Sequence, residues 1–447
     1  QFPFHFWLPN AMAAPTPVSA YLHSATMVKL GIFLMGRTLP IFGGAEWWLP
    51  VLVSIGAVTM GLGALLALLA HDLKAILANS RVSYLGLLML YYGLGRPGGV
   101  DADYLHISSH VFFKGSLFMA AGIIDHATGT RDVRQLGGLI RRTPLLAVAV
   151  GLAAASMAGL PPTLGFISKE MLLKAATSAG PVAAWVTGAV VLAAMLKVAF
   201  SVRLFAGVFL GRETEAVKGH FHAPGAAFVA PPLLLAGLAL LFGLVPGPLE
   251  AGFAQLRVAA LHAPEPVHLA LWHGPTLELG LSAGLTLAGL ALYAAGARTG
   301  WRWAAAPAAL RWDAAFDAGV ELFGKFTKLA TRATGADTPP RFLVLVLGTF
   351  VVLVLGTLAL TVNPAEVGVL LATGLADHRW SGLRVLVALL IALAAVGIVA
   401  FREWPAQVVS LAVMGFLVCF YFVLYQAPDL ALTQILVDTV ALVLIAA

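Results

Sequence analysis

Apolar runs long enough to cross a membrane recur along the whole chain. Each run is about 20 residues long, which as a helix spans the ~30 Å of hydrocarbon in a bilayer. The runs lie near 17–38, 49–70, 75–94, 104–124, 145–160, 184–210, 227–247, 277–296, 342–361, 383–401, 407–426 and 428–447. Hydrophobic residues make up 60% of the chain and charged residues 11%, far from soluble-protein usage. The sequence predicts an all-α, polytopic transmembrane helix bundle.

Charge and cysteine content exclude several classes of function. The net charge of +6 is spread over the connections between apolar runs, which argues against a nucleic-acid partner. Cys419 is the single cysteine, so no intrachain disulfide can form and burial as a small apolar residue is expected. Polar connections hold five histidines without cysteine or acidic neighbours at ligand spacing, namely His220, His222, His262, His268 and His273. No nucleotide fingerprint or catalytic triad occurs, and we expect no metal, no cofactor and no enzyme.

Both ends of the chain look cut. The sequence opens with Gln1, lacks a signal-type leader, and stops at Ala447 inside an apolar run. We therefore expect an internal piece of a longer polypeptide.

Three ionisable residues stand at four-residue intervals inside the run 104–124: His106, His110 and Lys114. On a helix they form one stripe that rises about 12 Å. Ionisable residues inside a bilayer are costly and indicate movement of ions or protons. Burial disfavours the charged ammonium, so a buried lysine can release a proton, and histidine titrates near neutral pH. Alternatively, the lysine reaches an interface and the histidines bond carbonyls.

Prolines interrupt the apolar pattern twice, at Pro15 with Pro17 and at Pro161 with Pro162. Proline removes a backbone donor and clashes with the preceding turn, so both sites predict helix breaks. Breaks at membrane depth are tolerated only beside protein or a water-filled cavity, and transporters place binding sites there. Ordinary loops between spans are the alternative. Lys169, seven residues after the second break, favours the functional interpretation.

Residues 308–333 carry too many charges to cross a bilayer. Leu310, Phe316, Val320, Phe323 and Phe326 fall near helical spacing, with charged residues mostly opposite them. This pattern predicts an amphipathic helix, either anchored at the membrane surface or bracing neighbouring helices.

Two further positions in apolar runs carry charge. Lys197 and Arg203 lie on the run 184–210 at a six-residue spacing that puts them on different faces, and we expect a structural pairing for Lys197. In the last run, Asp429 follows Pro428, where an acidic residue suits the helix dipole. Asp438 lies about 13.5 Å further along a helix. A carboxylate there needs a partner, a proton or a cation; Gln434 is one candidate partner.

Four motifs resemble a known family. The segment from Phe4-His5-Phe6-Trp7-Leu8-Pro9 through His23 to Lys29 resembles the signature of antiporter-like subunits shared by respiratory complex I, membrane-bound hydrogenases and Mrp-type sodium/proton antiporters. His110-Val-Phe-Phe-Lys114 and Gly165-Phe-Ile-Ser-Lys169-Glu170 are similar to that family's second-half proton-channel motifs. The tail, Tyr425 to Asp438, resembles the extension of the large A subunit of Mrp antiporters. The resemblance covers essentially the whole chain.

The resemblance implies a role for each matching position. His23 would lie on the helix that links two half-channels, and His106 and His110 would belong to a central water-filled relay. Lys114 would be the central lysine of that relay, and Lys169 the terminal lysine after the second break.

Other matching positions are less defined. His5 and Lys29 match signature positions; Lys29 is a further relay candidate, with an interfacial position as its alternative. Asp429 and Asp438 match acidic tail positions associated with the sodium route, which makes them a candidate cation site. The family places a glutamate and a lysine of its first half-channel upstream of the signature, beyond the start of this chain. Asp438 also stands where the resembled motif more usually has glutamate.

The resemblance implies three parts: an antiporter-like bundle over 1–305, an amphipathic lateral helix over 306–340 and a transmembrane extension over 341–447. The implied function is sodium/proton exchange within a hetero-oligomeric complex, with sodium, protons and lipid as further partners, in a prokaryotic cytoplasmic membrane. A proton-pumping component of a complex I or hydrogenase type is the alternative. A membrane scaffold, whose lysines are buried for assembly, is a third.

Overall fold

The computed structural model describes residues 2–13, 16–24, 27–95, 98–261, 268–298, 312–334, 338–361 and 381–446. Within these ranges the chain is helical and contains no β-strand beyond an isolated backbone bridge between Asp72 and Asp132. The predicted all-α class is confirmed.

The chain divides into two compact units, residues 1–323 and 324–447. The predicted boundaries at 305 and 340 stay predictions. The first unit contains α1 (Trp7–Asn10), α2 (Thr16–Ser24), α3 (Leu30–Phe42), α4 (Trp48–Leu69), α5 (Leu73–Leu94), α6 (Gly98–Thr128), α7 (Pro144–Ala158), α8 (Leu164–Thr177), α9 (Ala183–Phe209), α10 (Glu215–His220), α11 (Ala226–Leu244), α12 (Gly247–Leu261) and α13 (Leu277–Arg298). Helix α14 (Trp312–Thr334) runs across the boundary, and the second unit continues with α15 (Pro339–Thr361), α16 (Ser381–Ala400), α17 (Trp404–Leu424) and α18 (Pro428–Ala446).

Eight helices among the described residues are long and apolar enough to cross a membrane: α4, α5, α6, α9, α11, α13, α16 and α17. The chain is thus a multi-pass membrane protein. One predicted span is wrong: the run 17–38 is not a single helix, because α2 ends at Ser24 and a 3-10 turn over Met27–Lys29 precedes α3. A 3-10 turn of this kind marks a bend that the apolar pattern does not reveal.

Glycines bring α4 and α5 into backbone contact at the centre of the first unit. A methyl group on Gly56 would lie 2.7 Å from the backbone nitrogen of Leu90, and Gly63 packs against the backbone of Ser83. Small residues let membrane helices approach this closely. Of the membrane-length window of α5, 94% is buried inside the chain. Helix α5 is therefore a central helix of the bundle, and it positions the site described below.

The predicted amphipathic helix is present as α14. Residues 308–311 of the predicted segment lie outside the described residues. Phe316, on the apolar side, packs on Phe6 with ring centroids 5.1 Å apart, and Trp312 meets Phe2 edge-on at 5.0 Å. Further along, Phe323 stays 66% exposed. The start of α14 thus braces the amino-terminal segment of its own unit, while the rest presents an apolar face outward.

Ion pairs close the connections outside the membrane spans. Arg134 forks onto Asp132 at 2.6 Å, and this hydrogen bonding holds the pKa of Asp132 below its ordinary value. Arg142 binds Glu213 through two bonds of 3.0 Å, which lowers the pKa of Glu213 in the same way. Asp72 caps α5 by accepting from the Ala75 backbone amide at 3.0 Å. These contacts fix the ends of α5, α7 and α9.

The second unit is built more openly. Helix α17 packs against α16 on one side and α18 on the other. Only 6% of the membrane-length window of α16 and 17% of that of α17 are buried. Cys419 is buried on α17, as expected, with its thiol 3.4 Å from the Ala431 carbonyl. Most of the apolar surface of this unit therefore faces outward.

Candidate functional site

A narrow cavity of about 40 Å³ lies in the first unit between α5, α6, α7, α8 and α9. A site for one water needs about 10–15 Å³ by this kind of measure, so the cavity has room for a few waters. Five basic or imidazole side chains line it, namely His106, His110, Lys114, Lys169 and Lys197. No carboxylate is among the described residues that line it. Glu170, which follows Lys169 in the chain, acts on that lysine electrostatically from outside the cavity lining.

Lys114 and His110 are the most buried of these groups, each with 1% of its surface exposed. The ammonium of Lys114 has two close contacts. It donates to the hydroxyl of Ser80 on α5 and lies 3.8 Å from the sulfur of Met157 on α7. Ser80 donates its own proton to the Leu77 carbonyl at 2.8 Å. The Ser80 hydroxyl is thus oriented as an acceptor toward the lysine. One neutral acceptor holds Lys114 in place without compensating its charge, which is suited to a group that gains and loses a proton.

The two histidines of the stripe lie one turn apart on α6 and have different surroundings. The Nδ1 atom of His106 is 2.6 Å from the hydroxyl of Ser168 on α8. The ring of His110 stacks on Tyr84 of α5, with centroids 3.6 Å apart and an interplanar angle of 19°. Neither ring nitrogen of His110 has a hydrogen-bond partner among the described residues. The alternative in which both histidines simply bond backbone carbonyls therefore does not describe either of them.

Lys169 lies directly beside the break between α7 and α8. Helix α7 ends at Ala158, and Gly159 follows with a left-handed φ of 70°. A methyl group on Gly159 would lie 2.9 Å from Cδ of Lys169, so the lysine stem rests on the glycine. The ammonium lies 5.5 Å from the ring centroid of Phe166, within cation–π range. The glycine that ends α7 thus also makes room for the lysine.

Neighbouring helices hold this break from both sides. Pro161 and Pro162 stand between α7 and α8. Gly243 of α11 packs against the backbone of Pro162 and Thr163, and Gly165 packs against the Ser156 carbonyl. The backbone from Thr163 onward is therefore buried against protein, whereas Pro161 and Pro162 themselves are exposed.

The next residue along α8 faces a different space. Glu170 lines a separate cavity of about 490 Å³, together with Lys174, His273 and Glu278. Helix α8 thus separates a narrow, purely basic cavity from a wider one that contains both signs of charge.

The structure does not bring every predicted residue to the narrow cavity. His5 is buried in the first unit with its ring near Phe2 and Phe6. Lys29 ends the 3-10 turn before α3, half-buried, and its ammonium has no hydrogen-bond partner among the described residues. It lies close enough to act electrostatically on His106 and His110. Neither His5 nor Lys29 lines the cavity.

Three predicted positions are only partly described. His23 lies on α2, but its side chain is outside the described residues. Pro15 is outside them altogether. Pro17 is the second residue of α2, where its missing amide leaves no helical bond unmade.

The two acidic tail residues lie apart on α18. Asp429 is exposed in the first turn, and Asp438 is half-buried about 13.5 Å further along the axis. The amide of Gln434 donates to both carboxylate oxygens of Asp438, at 3.0 and 2.9 Å. Gly415 of α17 packs directly against the same carboxylate. Asp438 therefore has a hydrogen-bond partner on its own helix and a neighbour without a side chain across from it.

Several buried polar residues near the cavity escaped the sequence analysis. Arg81 is fully buried, with its guanidinium 4.8 Å from the Phe118 ring centroid and no hydrogen-bond partner among the described residues. Tyr84 and Asp103 are buried with no partner for their side-chain oxygens in the described parts of the chain. Arg81 and Asp103 stand in runs that otherwise have the composition of spans, and that was the available signal.

The expectation for Lys197 is wrong. No ion pair or hydrogen bond joins its ammonium to another described residue, and it lines the cavity instead. Arg203 on the same helix has the structural role: it donates to the carbonyls of Leu68 and Ala70 and contacts His71.

Two family models match the ends of the chain. A family described as "NADH:quinone oxidoreductase/Mrp antiporter, TM" matches residues 1–196, which include α1 to α8 and part of α9. A family described as the D subunit of MBH matches residues 389–447. The first match contains His106, His110, Lys114 and Lys169, and the second contains Asp438.

Similar proteins align along the whole chain. A probable K(+)/H(+) antiporter A/B subunit of Rhizobium meliloti is 37% identical over 477 residues, covering 100% of this chain and 45% of that protein. The A subunit of the Na(+)/H(+) antiporter of Alkalihalophilus pseudofirmus is 35% identical, covering 100% of this chain and 58% of that protein. The chain thus spans about half the length of the curated relatives that it matches.

A solved structure gives the same result. The structure of the Mrp complex from Dietzia sp. DQ12-45-1b superposes with a TM-score of 0.68 at 34% identity, covering 100% of this chain and 48% of the matched chain. Residues 1–196 of this chain match the family of antiporter-like membrane subunits that NADH:quinone oxidoreductases share with Mrp antiporters. Within that family, its similar proteins include the A subunits of sodium/proton antiporters.

Proposed function

We propose that this chain is part of the large A subunit of a multi-subunit monovalent cation/proton antiporter and carries protons through the narrow cavity. The observation that supports this most directly is the set of lysines and histidines that line one cavity, in which no described carboxylate is a lining residue. Buried lysines that lack an acidic partner are costly to keep charged. Their presence is best explained by a function that uses the exchange of their protons.

In this proposal, protons move along the stripe on α6. Neutral His106 and His110 take up a proton at one ring nitrogen and release one at the other, and water in the cavity joins them to Lys114. Ser80 accepts a hydrogen bond from the protonated lysine and so holds the ammonium in place. Lys169, beside the break after α7, is the next lysine of the route. Lys29 contributes through its electrostatic action on both histidines.

We infer that the exchanged cation is sodium, with lithium and potassium as further candidates. Relatives named for sodium/proton and for potassium/proton antiport both align with the whole chain. Asp438 is the candidate cation ligand, because a half-buried carboxylate on an apolar helix needs a proton or a cation in addition to its amide partner. Asp429, exposed and about 13.5 Å away along the same helix, would be a separate position on the cation route. The exposed apolar faces of α16 and α17 are consistent with packing against partner subunits of the complex. We place the complex in the plasma membrane of a prokaryote.

A second candidate is a proton-pumping component of a complex I or hydrogenase type complex. The descriptions of the two matching family models favour it, since one names NADH:quinone oxidoreductase and the other names MBH. In that case proton movement would depend on an electron donor instead of a cation gradient. In either case this chain would translocate protons and would not itself catalyse the oxidation of an electron donor.

Ion-flux assays on the full complex separate the two candidates. The purified complex in vesicles with an imposed pH gradient should dissipate that gradient when sodium, lithium or potassium is added singly, without any electron donor. The same vesicles containing Lys114→Arg complex should not respond, while Lys218→Arg, at an exposed surface position, should respond normally. Proton movement that occurs only with an electron donor would replace the antiporter proposal with the second candidate.

A further inference from the structure

Lys197 is the one lysine of the narrow cavity that neither the sequence motifs nor the family resemblance assigns. It lies on α9, and the residues one and two turns before it, Val190, Ala193 and Ala194, line the same cavity. These positions recur at intervals of three and four residues, so they form one face of the helix. Lys197 is thus the polar end of a stripe of small and apolar side chains that rises about 10 Å along α9.

The surroundings of Lys197 differ from those of a structural lysine. Arg203, six residues further on, donates to two backbone carbonyls and contacts His71, so its charge has fixed partners. Lys197 makes no hydrogen bond or ion pair with any residue that the structure describes. The backbone at Lys197 is well fixed, because the Ser201 hydroxyl donates to its carbonyl at 2.6 Å. An ammonium without a fixed hydrogen-bond partner, on a helical backbone, is suited to exchanging protons with water.

Lys197 also shares the cavity with the two lysines that the motifs assign. It acts electrostatically on Lys114 and His106, and Lys169 acts on it. The other titratable groups around it are His110 on α6 and Tyr84 on α5. Lys114 on α6, Lys169 on α8 and Lys197 on α9 thus reach one cavity from three helices.

We propose that Lys197 is a third proton-carrying lysine, which links Lys114 to Lys169 across the cavity. This inference rests on the proposed proton transport through the cavity. In the step, an N–H bond of one ammonium breaks, its proton passes through water, and an N–H bond forms on the neighbouring neutral amine. One positive charge moves one position, and no other group is consumed. Repulsion between neighbouring ammonium groups in a poorly hydrated cavity favours states in which they alternate between charged and neutral forms.

Three substitutions distinguish this relay role from a fixed positive charge and from packing. Lys197→Arg keeps a charge but cannot release a proton. Lys197→Met keeps most of the volume without a titrating group. Lys197→His restores a titrating group that loses its proton at lower pH than lysine. Lys218→Met, on an exposed helix outside the spans, serves as the matched control.

The assay is cation-driven dissipation of a pH gradient by the full complex in vesicles, measured across a range of pH with the assembled complex quantified in each sample. We expect Lys197→Arg and Lys197→Met to lower the rate at least about tenfold at unchanged assembly. Lys197→His should recover part of the rate, with its optimum at lower pH than in the wild type. Lys218→Met should match the wild type.

Two outcomes would overturn the inference. A Lys197→Arg complex that exchanges at the wild-type rate would make Lys197 a fixed charge, and a Lys197→Met complex that does so would leave it without a role. Should Lys197→Met fail to assemble, the arginine and histidine variants decide between the same results. A wild-type complex that responds to no cation rejects the proposed function itself, whereas an active wild type with an active Lys197→Arg variant rejects only this inference.

Discussion

The cavity region and the tail place polar groups on apolar helices in opposite ways. In the first unit, α5 is 94% buried over its membrane-length window, whereas α16 in the second unit is 6% buried. The first unit surrounds its ionisable groups with helices of its own chain, so their geometry is complete here. The tail exposes most of its apolar surface, as expected of helices that pack against lipid or other subunits.

The contrast extends to single residues. Lys114 is 1% exposed and contacts α5 and α7 as well as its own helix α6. Asp438 is half-buried, and its hydrogen-bond partner, Gln434, lies one turn away on the same helix. A site built from three helices can exclude water and fix a proton carrier. A site built on one helix can be completed by a neighbour, which makes the tail the part whose chemistry depends most on assembly.

The largest effect is expected at the centre of the cavity. Lys114→Arg should reduce exchange by on the order of 100-fold or more, because arginine keeps its proton at any accessible pH. The amount of assembled complex should stay normal, since the positive charge and the Ser80 acceptor are both retained. The two measurements are the rate of exchange in vesicles and the amount of assembled complex after detergent extraction. Normal exchange by Lys114→Arg would show that Lys114 is not on the proton route. The cavity would then no longer differ from the tail in holding an enclosed proton carrier.

A substitution at the helix break beside Lys169 should lower the exchange rate nearly as much as Lys114→Arg does. Gly159→Ala places a methyl group in the left-handed region, at a cost of about 1–2 kcal/mol, and within 2.9 Å of Cδ of Lys169. The lysine stem must move, and a misplaced relay group costs about tenfold to 100-fold in rate. Exchange by the variant complex, compared with its thermal stability, checks this.

A matched pair of proline changes sharpens the same test. Pro161→Ala with Pro162→Ala leaves Gly159 and its contact with Lys169 in place, so it should impair exchange less than Gly159→Ala does. The reverse order would show that the prolines, and not the glycine, position the lysine.

An intermediate effect is expected in the tail. Asp438→Asn should raise the sodium concentration needed for half-maximal exchange, because an amide offers an oxygen ligand but no longer balances the charge of the ion. Asp438→Glu should remain active. Loss of exchange at every sodium concentration would indicate a proton carrier, since an amide cannot titrate. An unchanged sodium titration would reduce Asp438 to a hydrogen-bond partner of Gln434.

The smallest effect is expected outside the membrane. The Arg142 guanidinium lowers the pKa of Glu213, so the ionised pair stabilises the fold above the ordinary carboxyl pKa. This contribution disappears as the pH falls through the lowered pKa of Glu213. Glu213→Gln should therefore lower the melting temperature slightly at neutral pH and converge with the wild type in acid. Because the pair is exposed, exchange itself should not change.

Much of the site could be predicted from single ionisable residues that stand inside apolar, membrane-length runs. Lys114 and its two histidines stand out because charged groups in an apolar run are costly wherever the helix goes. Lys197 is likewise a charged residue in an apolar run. Its six-residue spacing to Arg203 predicts only that the two side chains lie on different faces of α9, and does not show which of them lines a cavity. Which of them faces a cavity depends on the rotation of α9 against α6 and α8, and hydropathy does not encode that rotation.

The sequence by itself determined the fold class, the positions of most spans, the second helix break and the amphipathic helix. These features follow from local rules: helix length against bilayer thickness, and the missing amide of proline. The packing of the helices was needed to show that three lysines from three helices share one cavity, that Gly159 supports Lys169, and that Gly415 of α17 packs against Asp438. Those contacts join residues that are far apart in sequence or depend on side-chain direction, and they arise only when the helices pack.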